Sequence, residues 1–88
     1  MMTREAMVTS PLGLHARAAA RFVRVASGFR SQIRVTRGSR TTDGKSILGL
    51  LLLAAARGTV LTIGAEGVDA EEAIDALCAL TARGFEDS

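Results

Sequence analysis

Residues 12–17 read Leu12-Gly13-Leu14-His15-Ala16-Arg17, and they contain the only histidine of the 88-residue chain. Gly13 permits a tight bend, and a run of helical composition follows over residues 16–26. We therefore predict that His15 lies at the start of a helix, where backbone N–H groups lack intrahelical partners and bind anions well. An imidazole in that position can act as a nucleophile towards phosphorus, with Arg17 as a fixed cation two residues on. The alternative interpretation of a lone histidine here is a half-buried spacer or a weak helix cap.

The composition indicates one small globular domain over residues 1–88. A chain of 88 residues has no room for a second core, and 48% hydrophobic with 23% charged residues is typical of a globular protein. The aromatic residues are three Phe, with no Trp or Tyr, which argues against base stacking on nucleic acid. Cys78 is the single cysteine and cannot form an internal disulfide, which fits a reducing compartment. Since we find no signal peptide and no apolar stretch long enough to span a bilayer, we expect a cytoplasmic protein without direct membrane insertion.

Positive charge is concentrated in the first half of the chain. Residues 1–45 hold nine of the eleven basic residues, so this half can form a basic face that suits phosphate or an acidic partner. A nucleic-acid interface is an alternative, and it would use Arg17, Arg21, Arg24, Arg34 and Arg37. Binding of that kind would weaken steeply with salt.

Hydrophobic periodicity predicts seven elements in the order βαββαβα. The strands are expected over residues 3–9, 32–37, 40–43 and 59–65, and the helices over residues 16–26, from 47 to a stop at Gly58, and 70–81. Asp69 and Glu72 resemble a capping box at the start of the last helix. One sheet with the helices on one side buries the apolar stripes most economically, so we predict an α+β domain.

The second helix has apolar residues all around it. Ser46 is a good N-cap, and the residues that follow include Ile47, Leu48 and Leu51. A fully buried helix is one interpretation, but so small a domain has little interior. We therefore expect some of these three side chains to form an exposed patch for a partner.

The remaining motifs do not indicate a nucleotide site, a metal site or a catalytic triad. Gly44-Lys45-Ser46 resembles the end of a P-loop, but the earlier glycine that the motif requires falls at Ser39. One histidine and one cysteine do not suffice for a closed metal site, and no base–nucleophile–orienter triad is visible. We therefore expect no metal, no cofactor and no autonomous enzyme. A single histidine can still accept and donate a phosphoryl group when a partner protein supplies most of the transition-state stabilisation.

Two segments, Gly13-Leu14-His15-Ala16-Arg17 and Asp43-Gly44-Lys45-Ser46-Ile47, resemble the signatures of the HPr family. These are the histidine-containing phosphocarriers of the bacterial phosphoenolpyruvate:sugar phosphotransferase system. The resemblance implies an open-faced four-stranded antiparallel sheet with three helices. It also implies that Nδ1 of His15 takes a phosphoryl group from phosphorylated Enzyme I and passes it to a IIA-type domain. Arg17 would stabilise the transferring group, and the amides of Ala16 and Arg17 would hold the phosphate.

The resemblance further assigns a docking face and a regulatory site. The docking face would comprise Arg21, Arg24, Ile47, Leu48 and Leu51. Ser46 matches the family's regulatory serine, so an HPr kinase/phosphorylase is a candidate partner. We expect the protein to be a monomer. Ala18 departs from the family, which commonly has proline there, and Leu48 stands where methionine is frequent. Ala18 leaves open a nitrogen-branch paralogue or a mainly regulatory form that acts as a docking module.

Overall fold

The computed structural model describes residues 1–86 and confirms the α+β fold. Its elements follow the order βαββαβα. The strands are β1 (Met2–Met7), β2 (Gln32–Arg37), β3 (Arg40–Asp43) and β4 (Val60–Glu66). The helices are α1 (Ala16–Ser27), α2 (Ile47–Leu52) and α3 (Ala70–Ala82). All strand pairs are antiparallel, in the sheet order β1-β4-β2-β3, so the chain forms an open four-stranded sheet with three helices.

One face of the sheet packs against the helices. Leu61, Ile63 and Ala65 alternate along β4 and are all buried, as the two-residue period of a strand requires. Ile33 and Val35 lie beside them on β2 through the register Ile33↔Ala65 and Val35↔Ile63. The helices add further apolar side chains to the same core, and the largest of these are Phe22, Leu50, Ile74, Leu77 and Leu80.

The two arginines of β2 lie on opposite faces of the sheet. Arg34 pairs with Gly64 on the open face, whereas Arg37 lies on the helix side and its Nε donates to the Leu53 carbonyl at 2.6 Å. The five arginines proposed for a nucleic-acid interface therefore do not share one surface.

Helix α2 ends earlier than the sequence predicts. Gly58 was the expected stop, but the helix ends at Leu52, with Leu53 as its C-cap. Ala54 then adopts a φ of 52°, in the left-handed region that alanine rarely enters. Arg37 and Arg40 donate to the carbonyls of Leu53 and Leu52, so basic side chains satisfy the end of this short helix.

The predicted capping box of α3 is wrong. Asp69 is the N-cap residue, but its side chain makes no capping hydrogen bond. Its carboxylate instead accepts from the Arg30 amide at 2.8 Å and from the Ser31 amide and hydroxyl at 2.9 and 2.6 Å. These bonds, with the Ser31 hydroxyl foremost, hold the pKa of Asp69 below its ordinary value. Asp69 therefore fastens the turn between α1 and β2 to the start of α3.

The remaining sequence features have simple structural counterparts. Over residues 1–86, no helix is long and apolar enough to cross a membrane. Cys78 is a half-buried thiol on α3, and burial raises its pKa. Gly49, which weakens α2 as a helix former, lets that helix lie close to β3, because a Cβ at this position would collide with Oγ1 of Thr42.

Candidate functional site

The loop before α1 fixes the position of His15. The Gly13 amide donates to the Ser10 carbonyl, and the Leu14 amide donates to the Ala55 carbonyl, both at 2.9 Å. Gly13 has a φ of 69°, and a Cβ on it would lie 2.5 Å from the Ala55 oxygen. Only glycine fits this bend without displacement of the neighbouring backbone. Because Leu14 is buried, His15 follows an anchored residue and not a loose loop.

His15 is the N-cap residue of α1. Its backbone is extended, with φ −79° and ψ −179°, and its carbonyl accepts from the Ala19 amide at 2.8 Å. The His15 side chain makes no capping hydrogen bond. A helix of 12 residues that begins without a side-chain cap has first-turn amides that no capping side chain satisfies, and amides of this kind favour anions.

A surface cavity of about 410 Å³ is lined by His15 and by residues 84–86, which follow α3. The side chains of His15, Arg17 and Arg21 line it together, and it is completed by Ser10, Pro11, Leu12, Ala18, Gly84, Phe85 and Glu86. The structure therefore brings together the predicted histidine and two of the predicted arginines. The cavity is open enough for the histidine, which is half-buried, to be reached from solvent.

Arg21 contacts the C-terminal segment. Its Nη1 donates to the Phe85 carbonyl at 2.9 Å and lies 4.0 Å from Oε2 of Glu86. Phe85 is buried, and the amide of this residue donates to the Leu80 carbonyl at 2.9 Å, as expected for a residue that folds back onto α3. Arg21 thus helps to hold one wall of the cavity.

Ser46 lies away from this cavity. The Leu14 amide bonds to Ala55 beyond the end of α2, while Lys45 Nζ donates to the Phe29 carbonyl at 2.9 Å beyond the end of α1. The two helices therefore run antiparallel, and Ser46 at the start of α2 lies near the end of α1 that is farther from His15. Its hydroxyl accepts from the Gly49 amide at 3.0 Å, which confirms the predicted N-cap.

The predicted docking residues lie on the outer surfaces of α1 and α2. Ile47, Leu48 and Leu51 are 43%, 67% and 37% exposed, and Leu52 adds a fourth exposed apolar side chain at 63%. Leu50, in contrast, is fully buried. Arg24 is exposed in the last turn of α1 and does not line the cavity. The apolar patch that the sequence predicts on α2 is therefore present.

Seven of the residues that line the cavity were not predicted as site residues, and four of them bear on its shape. Leu12 is 77% exposed beside the histidine, and Ser10 is buried in the loop below it. Phe85 and Glu86 come from the far end of the chain. Leu12 directly precedes the signature segment and could have been suspected, but no local pattern reveals that Phe85 and Glu86 reach this site.

The arrangement suits transfer of an anionic group to nitrogen. An accessible imidazole, an adjacent guanidinium and open first-turn amides can receive a phosphoryl group and hold its charge. Among the described residues, no group of three or more His, Cys, Asp or Glu side chains could hold a metal ion. Fold and site together define a class of small open-faced α+β domains that present one histidine at an uncapped helix start.

Comparison with known proteins gives the family. The family described as "PTS HPr component phosphorylation site" matches residues 2–83. The phosphocarrier protein HPr of Cupriavidus necator is 44% identical over 97% of this chain and 96% of its own length. The crystal structure of HPr-C-His from Thermoanaerobacter tengcongensis matches with a TM-score of 0.94 at 41% identity, over 100% of this chain and 99% of that one. The chain belongs to the HPr family of phosphocarriers of the phosphotransferase system.

A phosphocarrier with a different name, NPr, also matches. The phosphocarrier protein NPr of Shewanella violacea is 37% identical over 99% of this chain and 96% of its own length.

Membership of the HPr family makes the chain a carrier and not a self-sufficient catalyst.

Proposed function

We propose that the chain accepts a phosphoryl group on Nδ1 of His15 from phosphorylated Enzyme I and passes it to a IIA-type domain. The observation that carries this proposal is the side chain of His15 at the uncapped start of α1, in one cavity with Arg17. The family's phosphocarrier role supports it.

In the transfer step, the imidazole lone pair forms an N–P bond while the bond from phosphorus to the donor breaks. The bonding electron pair leaves with the donor group, so the phosphoryl group itself passes between the two proteins. Its oxygens would then accept from the Ala16 and Arg17 amides and from the Arg17 guanidinium. The reverse step returns the lone pair to His15 as the acceptor takes the phosphoryl group. Since phosphoryl transfer depends on positioning and charge neutralisation, the partner protein can supply the rest.

The test is the intact mass of the chain after incubation with phosphoenolpyruvate and a bacterial Enzyme I. We expect one added phosphate that is labile to acid on the native chain and none on His15→Ala. An HPr known to be phosphorylated by the same Enzyme I serves as the positive control. If that control is phosphorylated and this chain is not, the general carrier proposal is wrong.

Docking would use the outer faces of α1 and α2. Arg24, Ile47, Leu48 and Leu51 are all exposed, and a small patch with both charge and apolar surface suits a partner that binds and leaves. Arg21 would contribute less directly, because it also holds the Phe85 carbonyl. We propose a cytoplasmic monomer that meets Enzyme I and IIA-type domains in turn.

Regulation at Ser46 would act through docking. Helix α1 is about 18 Å long and separates the region of Ser46 from His15, and charge effects through solvent fade over about 8 Å. A phosphate added by an HPr kinase/phosphorylase would therefore oppose acidic partners without altering the chemistry at His15.

The variant Ser46→Asp tests this regulation, because aspartate is also a good N-cap and keeps α2 intact. With the variant as the substrate of Enzyme I, we expect the KM for the variant to be severalfold higher than for the native chain. The kcat should stay within about twofold, since one surface charge acts mainly on the encounter of the two proteins. The control Ser39→Asp places the same charge in the β2–β3 turn and should change neither value. An equal effect of both variants, or an effect on kcat alone, would contradict regulation through docking.

The alternative is a nitrogen-branch or mainly regulatory paralogue. The likeness to NPr and the alanine at position 18 both favour keeping this alternative. The mass experiment separates the two when it is repeated with a nitrogen-branch Enzyme I. Phosphorylation by that donor at a rate at least tenfold higher would assign the chain to the nitrogen branch, whereas the opposite ratio would assign it to the sugar branch. A docking module would gain no phosphate from either donor.

A further inference from the structure

A second cavity lies at the opposite end of α1 from His15. Its volume is about 220 Å³, and its walls are formed by Arg30, Ser31, Gln32, Ile33, Arg34, Asp43 and Lys45. Arg30 and Ser31 come shortly after the end of α1, whereas His15 precedes its start. A helix of this length separates the two cavities by roughly 18 Å, so they are different sites.

The walls of this cavity carry more positive than negative charge. Three of the lining residues are cations, Arg30, Arg34 and Lys45, against the single carboxylate of Asp43. Within residues 1–86, the side chains of Arg30 and Arg34 make no hydrogen bond or ion pair. Their guanidinium groups therefore retain all their donors for a ligand.

Arg34 and Asp43 are directly opposite each other on β2 and β3 but do not close into an ion pair. Their register is Arg34↔Asp43, which places the two Cβ atoms roughly 5 Å apart. Oδ1 of Asp43 instead accepts from the Lys45 amide at 2.9 Å. The carboxylate thus serves the local turn, and the guanidinium that faces it stays open.

The side chain of Lys45 is held in place by the backbone carbonyl of Phe29. Its Nζ donates to the Phe29 carbonyl at 2.9 Å, which uses one of its three N–H donors and orients the ammonium group. Ser31 forms a rigid floor, since it is 1% exposed and bonded to Asp69. The cavity therefore combines a fixed ammonium group and a buried floor with two open guanidinium groups.

We propose that this cavity binds a small phosphomonoester that carries a neighbouring hydroxyl group. Arg30, Arg34 and Lys45 would donate to the phosphate oxygens, and the remaining lone pairs of Asp43 would accept from the hydroxyl. The volume is below the roughly 300–1,000 Å³ of drug-sized sites, which favours a ligand the size of a phosphorylated triose over a nucleotide. The proposal does not depend on phosphorylation of His15.

Titration of the ¹⁵N-labelled chain at constant ionic strength tests the site. The probes are glycerol 3-phosphate and inorganic phosphate, followed through the backbone amides of Gln32, Arg34 and Lys45. We expect these amide shifts to saturate, with tighter binding of glycerol 3-phosphate because only this probe has carbon-bound hydroxyl groups that can reach Asp43 while its phosphate contacts the three cations. Equal affinity for the two probes would overturn the role of Asp43.

The variant Arg34→Gln should weaken binding of glycerol 3-phosphate about tenfold or more, the size of one lost charge-assisted hydrogen bond. Arg34 is exposed on the open face, so the fold should survive, and Arg30→Gln gives a second measurement. Arg57→Gln removes the same charge at an exposed position outside the cavity and should leave the affinity unchanged. Shifts confined to the amides of residues 15–17, a linear drift without saturation, or equal weakening by Arg57→Gln would each overturn the proposal.

Discussion

Helix α1 begins at His15 and helix α2 begins at Ser46, and the side chains at these two N-cap positions differ in what they bind. Ser46 accepts from the Gly49 amide, so its hydroxyl satisfies one donor of its own helix. His15 makes no such bond, so its side chain satisfies none of the first-turn amides of α1. The imidazole therefore contributes no capping hydrogen bond to the stability of α1.

The two helices also differ in what holds them in place. Helix α1 has 12 residues and buries Ala18, Ala19, Phe22 and Ala26 on one stripe. Helix α2 has six residues and buries only Leu50, and Arg37 and Arg40 bond to its last carbonyls. The short helix α2 depends on side-chain hydrogen bonds at both of its ends. The longer α1 is held by its buried stripe, so its first turn can lack a side-chain cap. The difference shows where this fold can accommodate a reactive group.

The largest expected effect comes from Gly13→Ala, which disturbs the loop that positions His15. The variant combines a left-handed φ of 69° with a Cβ that meets the Ala55 oxygen. Strain and overpacking together should lower the free energy of unfolding by roughly 2–5 kcal/mol. The displaced loop should also slow phosphorylation of His15. Urea unfolding and the rate of mass gain with Enzyme I measure the two effects.

The matched control is Gly38→Ala. Gly38 has a similar φ of 59°, but no atom lies within 4 Å of an added Cβ. We expect a loss of about 1–2 kcal/mol from strain alone and a normal phosphorylation rate. Equal losses from the two variants would show that contact with Ala55 does not position the loop before His15.

The second effect concerns the two N-cap side chains directly. Ser46→Ala removes a capping hydroxyl and should lower the free energy of unfolding by about 1 kcal/mol. His15→Ala removes a side chain that makes no capping bond, so its effect on stability should stay within about 0.5 kcal/mol. Phosphorylation should show the reverse order, lost in His15→Ala and retained in Ser46→Ala. Thermal unfolding and intact mass on both variants measure this, and equal destabilisation would remove the distinction between the two helix starts.

Local patterns predicted the parts of the fold that local forces determine. The bounds of β2 and β3 were predicted correctly, because clean alternation and the glycine of their turn leave one register. Ser46 as an N-cap was also readable from its own neighbourhood. The order of elements, the open sheet and the exposed patch on α2 followed from the apolar stripes together with the family resemblance.

Contacts between distant residues account for what the sequence did not reveal. The carboxylate of Asp69 bonds to Ser31, 38 residues away in sequence, so the predicted capping box does not form. In the candidate site, the signature segment identified His15 and Arg17, but not the wall formed by Phe85 and Glu86. The end of α2 was misplaced because Ala54 adopts a conformation for which the sequence offers no glycine.

The smallest expected effect is a gain in stability from Ala54→Gly, at the end of the capped helix. Glycine would relieve the strain of a φ of 52°, worth about 1–2 kcal/mol, but would add roughly 0.5–1 kcal/mol of conformational entropy cost. We therefore expect a net stabilisation of about 0.5 kcal/mol, measured by urea unfolding. Ala56→Gly, at an exposed position without positive φ, is the control and should destabilise by about 0.5–1 kcal/mol. If both substitutions destabilise alike, Ala54 carries no strain, and α2 must end at Leu52 for another reason, with the bonds from Arg37 and Arg40 as the remaining candidates.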